Sequence, residues 1–407
     1  MFVREVNPSR ITEADIVVFI PSCDEADSIA VPTQAADQGL IKYFADKKAV
    51  IVSCDNHSAD GTREAFINVP TEVPKVHICT EPGFKGKGNN FRSLFQKVEE
   101  LEASAVIVVD ANTTSISPEW ILHLGRPLFQ NVDFVAPIYV CHKHERTITN
   151  SIAYPLTRAL YGRRVRQPLG GEFGFSRRVN EVYLRSEVWN EAVANLGIDI
   201  WMTTLAIHHS VPVSQTYLGR PKIQRSKDSE TDLGLLFRHV VETIFTIMVR
   251  YESTWLNVKW SKPTAVWGAD RGEENNIPPM PVEVNHQALY SQFQAGTETY
   301  YEVWESVLPR RVLNKLYEIG DTSQSRLDFS ASLWARVLFD MAVGFRDRTT
   351  ERDLILDSLF PLYCGKVFSF FQKTERMSVR QVERLIENEC LVFEELRPYL
   401  NKRWKGE

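Results

Sequence analysis

The chain has 407 residues, with 47 Lys and Arg against 52 Asp and Glu and a formal net charge of −5. This length predicts two domains, or one large domain with a substantial appendage. Because 43% of the residues are hydrophobic and 24% are charged, the composition is that of a globular protein and excludes a disordered or collagen-like chain. The acidic balance argues against a nucleic-acid-binding protein, which needs a basic surface.

The cysteines and the N-terminus bear on the compartment in which the protein works. Six cysteines are scattered along the chain without a Cys-x-x-Cys pair, which argues against a zinc ribbon or a disulfide framework. The N-terminal stretch has acidic residues before its apolar run and no small-residue cleavage site, so we expect no signal peptide. The chain contains no run of about 18 apolar residues, so we expect no transmembrane helix. We therefore expect a cytoplasmic protein.

The first third of the chain alternates short apolar runs with a helical pattern. The helical pattern covers residues 91–101, and the runs that predict strands are 15–21, 48–53, 76–79 and 105–109. The last of these is nearly all β-branched, as is typical of a strand buried on both faces. This alternation predicts an α/β fold with a mainly parallel sheet covered by helices.

The last third of the chain has a different pattern. Residues 261–285 are rich in Pro, Gly, Asn and charge, which predicts a linker or a long surface loop. Apolar residues then recur at helical spacing and predict helices at 303–317, 333–345, 354–372 and 378–396. The predicted organisation is an α/β domain over 1–260, a linker over 261–285 and a helical region over 286–407.

Two prolines and one serine refine the predicted helices. Pro309 and Pro361 lie inside the first and third of them, where we expect each to kink or divide the helix. Ser378 followed by Gln381 is a capping-box pattern and predicts the start of the last helix.

Three segments that follow predicted strands carry residues suited to a nucleotide or a cation. Asp55 begins the loop Asp-Asn-His-Ser-Ala-Asp-Gly-Thr, where it could accept hydrogen bonds from a ligand or simply form a helix-capping turn. Lys87 lies among glycines at a helix start, which suits either phosphate oxygens or a solvated turn. Asp110 and Asn112 end the fourth strand, where two oxygen ligands could hold a hard cation, although this pattern is common.

Two features further along the chain suit an anionic ligand, and a third is an acidic residue at a helix start. Residues 142–178 hold eight Lys and Arg against two Glu, which indicates either an anion site or a solvated helix face. Gly170 and Gly171 follow a proline and would allow a close backbone approach to a ligand or a plain tight turn. Asp199 begins an apolar helix, which is typical of an N-cap.

The order of these segments is more specific than any one of them. IPSCDE, DNHSADGT, GKGNN and VVDANTTSISPEW are followed by RTITNSIAYPLTRALYG, RQPLGGEFGFSRR and NLGIDIWMTT. Over about residues 14–260 the chain resembles the GT-A nucleotide-sugar glycosyltransferases, in particular glucosyl-3-phosphoglycerate synthase and mannosylglycerate synthase. The resemblance implies transfer of glucose or mannose, with retention, from a nucleotide diphosphate sugar to glycerate or 3-phosphoglycerate. The products would be glycosylated glycerate solutes.

The resemblance also implies roles for individual positions. Asp199 takes the place of an acidic catalytic residue beside the transferred sugar. The acceptor contacts would be Thr149, Gly170 and Gly171. The donor contacts would be Pro21, Glu25, Asp55, Lys87 and Asp110.

A divalent Mg²⁺ or Mn²⁺ ion is part of the same expectation, held by Asp110, Asn112 and Gln224. Two of these positions depart from the enzymes that the chain resembles, because Asn112 replaces a second carboxylate and Gln224 aligns with a histidine. Neither amide adds negative charge, so we expect the metal affinity to be reduced. Lys222, Arg225 and Lys227 lie near Gln224 and could partly replace a cation in neutralising a diphosphate.

Two other functions remain open at the sequence level. The loss of metal ligands would also suit a non-catalytic nucleotide-sugar-binding protein, and the enzyme could use another small acceptor. The helical region either completes the core or offers an apolar face for a homodimer. We expect no nucleic-acid partner.

Overall fold

A computed structural model describes residues 2–225, 233–268 and 279–407. The contacts divide the chain into two compact units. The first unit comprises residues 1–141, 165–231 and 263–279, and the second comprises 142–164, 232–262 and 280–407. The segments of these two units alternate along the chain, and the units do not divide it at residues 260 and 285. The boundaries of the functional domains stay a prediction. Residues 269–278 of the predicted linker and Lys227, one of the cationic residues predicted near Gln224, lie outside the described residues.

The described residues include eleven strands. They are β1 (Phe2–Val6), β2 (Ile16–Ser22), β3 (Ala49–Asp55), β4 (Lys75–Thr80), β5 (Ala105–Val108), β6 (Phe134–Val140), β7 (Arg163–Arg164), β8 (Phe173–Ser176), β9 (Val213–Pro221), β10 (Lys262–Pro263) and β11 (Ala265–Trp267). Nine of these strands form one sheet in the order β1-β4-β3-β2-β5-β8-β6-β9-β11. The two short strands β7 and β10 pair with each other.

Most neighbouring strands in the sheet are parallel, which confirms the predicted α/β class. The exceptions are β1, which pairs antiparallel with β4, and β8, which lies antiparallel between β5 and β6. Every residue of β2 and β5 is buried, as expected for central strands covered by helices on both faces. The four strands predicted from the sequence correspond to β2, β3, β4 and β5.

Helices cover the sheet and complete the core of the first unit. They are α1 (Ala30–Tyr43), α2 (Thr62–Asn68), α3 (Lys87–Glu100), α4 (Pro118–Gly125), α6 (Arg177–Leu184), α7 (Glu191–Ala194) and α8 (Ile198–His208). On one face of the sheet, β2 contributes Ile16, Val18 and Ile20 to a buried apolar cluster. Alternate residues of a strand point to the same face, so these three side chains lie side by side. Trp120 and Leu124 of α4 belong to the same cluster.

The second unit is helical within the part of the chain that the structure describes, apart from its short strand segments. Its core is rich in aromatic side chains, including the fully buried Trp304, Trp334 and Tyr363. The helices are α5 (Tyr154–Tyr161), α9 (Leu233–Arg250), α10 (Glu252–Trp255), α11 (His286–Thr299), α12 (Tyr301–Val307), α13 (Arg310–Gly320), α14 (Ala331–Asp347), α15 (Arg352–Thr374), α16 (Val379–Glu395) and α17 (Arg397–Lys405).

The two prolines behave differently. The chain leaves α12 at Val307 and enters α13 at Arg310, so Pro309 divides the first predicted helix as expected. In contrast, α15 runs through Pro361 without ending, so Pro361 does not divide this helix, and the alternative of a kink stays a prediction. The ring of Pro361 packs against the backbone of Gly296 on α11, where a Cβ atom would lie 2.2 Å from the proline Cβ. The absence of a side chain at Gly296 therefore leaves room for the proline ring.

One helical stretch in the described residues, Thr349–Thr374, is long and apolar enough to cross a membrane. However, 83% of its most apolar window is buried inside the protein. Burial of this kind is typical of the core helix of a folded domain.

The start of α16 has the predicted capping box, in which the Ser378 side chain accepts a hydrogen bond from the backbone N–H of Gln381. We expect Ser378→Ala to lower the free energy of unfolding by about 1 kcal/mol, because the cap satisfies an otherwise unpaired helix N–H. Urea unfolding followed by circular dichroism measures this loss. Ser291→Ala, at an exposed position of α11, is the matched control and should leave the midpoint unchanged or slightly higher. Equal effects of the two substitutions would contradict the assignment of the cap.

Candidate active site

The topology of the sheet brings several chain segments to one edge. The parallel strands β5 and β9 end there, and the antiparallel strand β8 begins there. The residues just after β5 and β9 therefore meet the residues just before β8. This edge is where open α/β sheets commonly bind ligands.

A lysine joins these three segments. Lys222 follows β9, and its Nζ atom lies 2.7 Å from Asp110 Oδ2 and 2.8 Å from Glu172 Oε2. Glu172 precedes β8 and is fully buried, whereas the Lys222 side chain is 4% exposed. Glu172 also accepts hydrogen bonds from the hydroxyl groups of Thr113, at 2.8 Å, and Tyr139. Buried carboxylates of this kind are stable only when they are paired and hydrogen-bonded.

A second lysine reaches the same aspartate from a helix. Lys87 is the first residue of α3, and its Nζ atom lies 3.0 Å from Asp110 Oδ1 and 3.2 Å from Asp199 Oδ1. Asp199 lies in the first turn of α8, whose N-cap is Gly197, so the predicted N-cap role of Asp199 is wrong. We call Lys87, Asp110, Glu172, Asp199 and Lys222 the charged cluster.

The charges of the cluster reinforce one another. Burial by itself would lower the pKa of Lys87, but the opposite charges of Asp110 and Asp199 outweigh it and raise the pKa well above its ordinary value. Burial would likewise raise the pKa of Asp110, but the charges of Lys222 and Lys87 lower that pKa well below its ordinary value. Lys87 and Asp110 are therefore both ionised at neutral pH.

The glycine pair before Glu172 is required by close packing. Gly171 has φ +85°, and a Cβ atom there would lie 2.5 Å from both Asp110 Oδ2 and Lys222 Nζ. At Gly170 a Cβ atom would lie 2.3 Å from the ring of Pro137. The loop can therefore approach the charged cluster only without side chains at these positions.

The predicted metal ligands lie together but do not form a suitable site for a divalent cation. The Gln224 side-chain amide donates to Asn112 Oδ1 at 2.9 Å, so these two side chains bind each other. Asp110 is the single carboxylate of the three, and its oxygens contact Lys222 and Lys87. The described residues contain no group of three or more His, Cys, Asp or Glu side chains that could hold a metal ion. The donor set therefore does not fit a Mg²⁺ or Mn²⁺ ion.

The predicted donor contacts on β2 and β3 lie at the ends of adjacent strands, where Pro21 pairs in register with Cys54. The Asp55 carboxylate accepts hydrogen bonds from the Ser58 backbone N–H at 2.7 Å and the Ser58 hydroxyl at 2.6 Å. It thus forms the local turn that the sequence left open as an alternative. Glu25 is buried and accepts a hydrogen bond from the Ser28 hydroxyl.

The remaining predicted acceptor residue lies in the second unit. Thr149 is buried in a π-helical turn, Thr149–Ala153, and its role stays a prediction.

Much of the basic stretch has structural partners. In the second unit Arg158 pairs with Glu387 and Glu394, and in the first unit Arg177 pairs with Glu99. The positive charge of residues 142–178 is therefore not by itself evidence of an anion site.

Glu172 is the residue of the cluster that the sequence did not single out. Its position directly after Gly170 and Gly171 was the available signal, because two adjacent glycines mark a close backbone approach. Its pairing with Lys222 depends on the antiparallel direction of β8, which the sequence did not predict.

Solved structures to which this chain is similar include glucosyl-3-phosphoglycerate synthase from Mycobacterium tuberculosis. Its complex with Mn²⁺, UDP and phosphoglyceric acid is 20% identical, with 57% of this chain and 78% of that chain covered and a TM-score of 0.45. Its complex with Mg²⁺ and UDP is 21% identical, with 57% and 79% covered and a TM-score of 0.46. A mycobacterial protein is 22% identical, with 58% and 74% covered and a TM-score of 0.45. No protein-family model and no curated protein matches the chain.

We expect Gly171→Ala to lower the thermal midpoint more than Gly61→Ala. Both glycines have a positive φ, of +85° and +91°, so both substitutions introduce backbone strain of about 1–2 kcal/mol. Only at Gly171 would the new methyl group also meet Asp110 and Lys222, since nothing lies within 4 Å of a Cβ atom at Gly61. Differential scanning calorimetry of the two variants measures the difference, and an equal loss at both sites would contradict the close packing of the cluster.

Proposed function

We propose that the protein is a glycosyltransferase that moves a hexosyl group, glucose or mannose, from a nucleotide diphosphate sugar to glycerate or 3-phosphoglycerate with retention. The observation that carries this proposal is the convergence of Lys87, Asp110, Asp199 and Gly171 at one sheet edge. These residues come from separate segments whose order along the chain resembles that of such enzymes. Their meeting in one cluster is what a shared active site requires.

The chemical demand of the reaction is the departure of a diphosphate. Negative charge develops on the leaving oxygen, and fixed positive charges that face it lower the barrier. Lys87 is suited to this role because its side chain is 22% exposed and its ammonium group is held by two carboxylates. It is therefore positioned before the donor binds.

Asp199 is suited to the sugar side of the reaction. Its carboxylate is held by Lys87 at 3.2 Å and lies in the first turn of α8. A carboxylate fixed there would stabilise the positive charge that develops on the transferred sugar, or orient the acceptor hydroxyl group. In the retaining reaction that we propose, this hydroxyl attacks on the face from which the diphosphate leaves.

A non-catalytic nucleotide-sugar-binding protein is the second candidate. The observation that favours it is the donor set at the predicted metal position, where Asn112 and Gln224 bind each other and Asp110 is paired with lysines. Product formation separates the two functions, because a binding protein would hold the nucleotide sugar without consuming it.

The direct test is a screen of UDP- and GDP-linked glucose and mannose against glycerate and 3-phosphoglycerate, with and without Mn²⁺. We expect release of a nucleoside diphosphate together with a glycosylated acid whose anomeric configuration matches that of the donor, read by NMR. Nucleotide-sugar binding without product would support the binding protein instead. A product with the anomeric configuration opposite to that of the donor would contradict the retaining mechanism but not the transferase function.

We expect Asp199→Asn to lower kcat by about 100-fold or more, because the substitution removes a charge that faces the reacting sugar. Steady-state kinetics with the best donor and acceptor measure the loss. Glu64→Gln is the matched control, since Glu64 is an exposed carboxylate that pairs with its neighbour Arg63 on α2. A variant of Asp199 with full activity would remove this residue from the catalytic site.

A further inference from the structure

We propose that Lys222 takes the position of a divalent cation on Asp110, so that this protein binds its nucleotide without a metal. This inference rests on the proposed function and adds to it the means by which Asp110 is neutralised, so that Lys87 can face the diphosphate. It starts from the contacts of Lys222 with Asp110 and Glu172, at 2.7 and 2.8 Å. An ammonium group that bridges two carboxylates holds them together and offsets their repulsion, which a bound ion would otherwise do.

The surrounding backbone fixes Lys222 in this position. The carbonyl group of its neighbour Ile223 accepts a hydrogen bond from the Thr114 N–H at 2.8 Å, and the Ile223 N–H donates to Ser115 Oγ at 2.8 Å. The Arg225 N–H donates to the Asn112 carbonyl at 2.9 Å. The segment that carries Lys222 is therefore paired with the segment that follows Asp110.

Lys222 and Lys87 differ in how exposed their side chains are, and we assign them different roles on this basis. The Lys222 side chain is 4% exposed, so it acts as an internal countercharge for Asp110 and Glu172. The Lys87 side chain is 22% exposed and contacts the other oxygen of Asp110. With Asp110 neutralised by Lys222, Lys87 can turn its remaining N–H donors to the phosphate oxygens.

The side chains around Asp110 explain why a divalent metal ion would not displace Lys222. Asn112 and Gln224 are uncharged and bind each other, and Asp110 already contacts two ammonium groups. A divalent ion at this position would have to displace a buried lysine and would leave its charge unpaired. Such an exchange is costly in a buried site.

The first test is binding of UDP and GDP to the wild-type protein by calorimetry, in EDTA and in Mn²⁺. We expect the same Kd, within about twofold, in both solutions. Binding that requires Mn²⁺ would overturn the inference and leave the proposed function intact. Binding in EDTA without turnover of any nucleotide sugar would support the inference and overturn the enzyme function. Absence of binding under both conditions would overturn both.

The second test removes the lysine. Without it, the Asp110 and Glu172 carboxylates face one another, so we expect Lys222→Met to acquire Mn²⁺ binding that electron paramagnetic resonance detects and the wild-type protein lacks. Nucleotide binding in EDTA should weaken about 10- to 100-fold, because Asp110 would lack its countercharge and would compete with the phosphate oxygens for the charge-assisted contact of Lys87. Lys222→Arg keeps the charge and should not acquire Mn²⁺ binding. A Lys222→Met protein that binds no more Mn²⁺ than the wild type would overturn the inference.

Two further variants separate a specific effect of Lys222 from a general loss of folding. Because Lys222→Met leaves the buried Glu172 unpaired, the double variant Lys222→Met with Glu172→Gln removes both charges and should fold while still losing nucleotide affinity in EDTA. Lys97→Met is the matched control, since Lys97 is a 6% exposed lysine held by Glu5 and Glu100 in the same unit. It should leave the nucleotide Kd unchanged. Equal losses in the control and the double variant would contradict a specific role for Lys222.

Discussion

The carboxylate of Asp110 is shared by two lysines, and the arrangement of the site depends on this contact. Lys87 approaches one oxygen from the start of α3, and Lys222 approaches the other from the end of β9. Each lysine then contacts one further acid, Asp199 or Glu172. Loss of Asp110 would leave the buried Lys222 and the partly exposed Lys87 each with one partner fewer. Through these two lysines, Asp110 connects its own segment with four others.

The direction of β8 makes that arrangement possible. A parallel strand between β5 and β6 would end at this edge, and the loop before it would lie at the opposite edge of the sheet. Because β8 is antiparallel, the loop that carries Gly170, Gly171 and Glu172 reaches the ends of β5 and β9. Gly171 can then lie against Asp110 and Lys222, which no residue with a side chain could do without displacing them.

The sequence predicted those parts of the structure that depend on local patterns. Buried apolar runs predicted the strands β2, β3 and β5, and the capping box at Ser378 predicted the start of α16. The pairing of Lys222 with Glu172 depends on strand order and direction, which local periodicity does not specify. Pro361 shows the same limit, because α15 continues through it and its ring packs against Gly296, a contact that the local sequence does not specify.

A bound metal ion and a lysine side chain can each balance the charge of buried carboxylates, but they have different requirements. An ion must be recruited from solution and needs several anionic ligands, whereas a lysine is supplied by the fold and needs only enough acidic partners to balance its charge. In this chain a second carboxylate does face Asp110, but it comes from Glu172 rather than from position 112, and Lys222 lies between them. The uncharged side chains of Asn112 and Gln224, which bind each other, are therefore consistent with a site in which Lys222 balances the charge of Asp110.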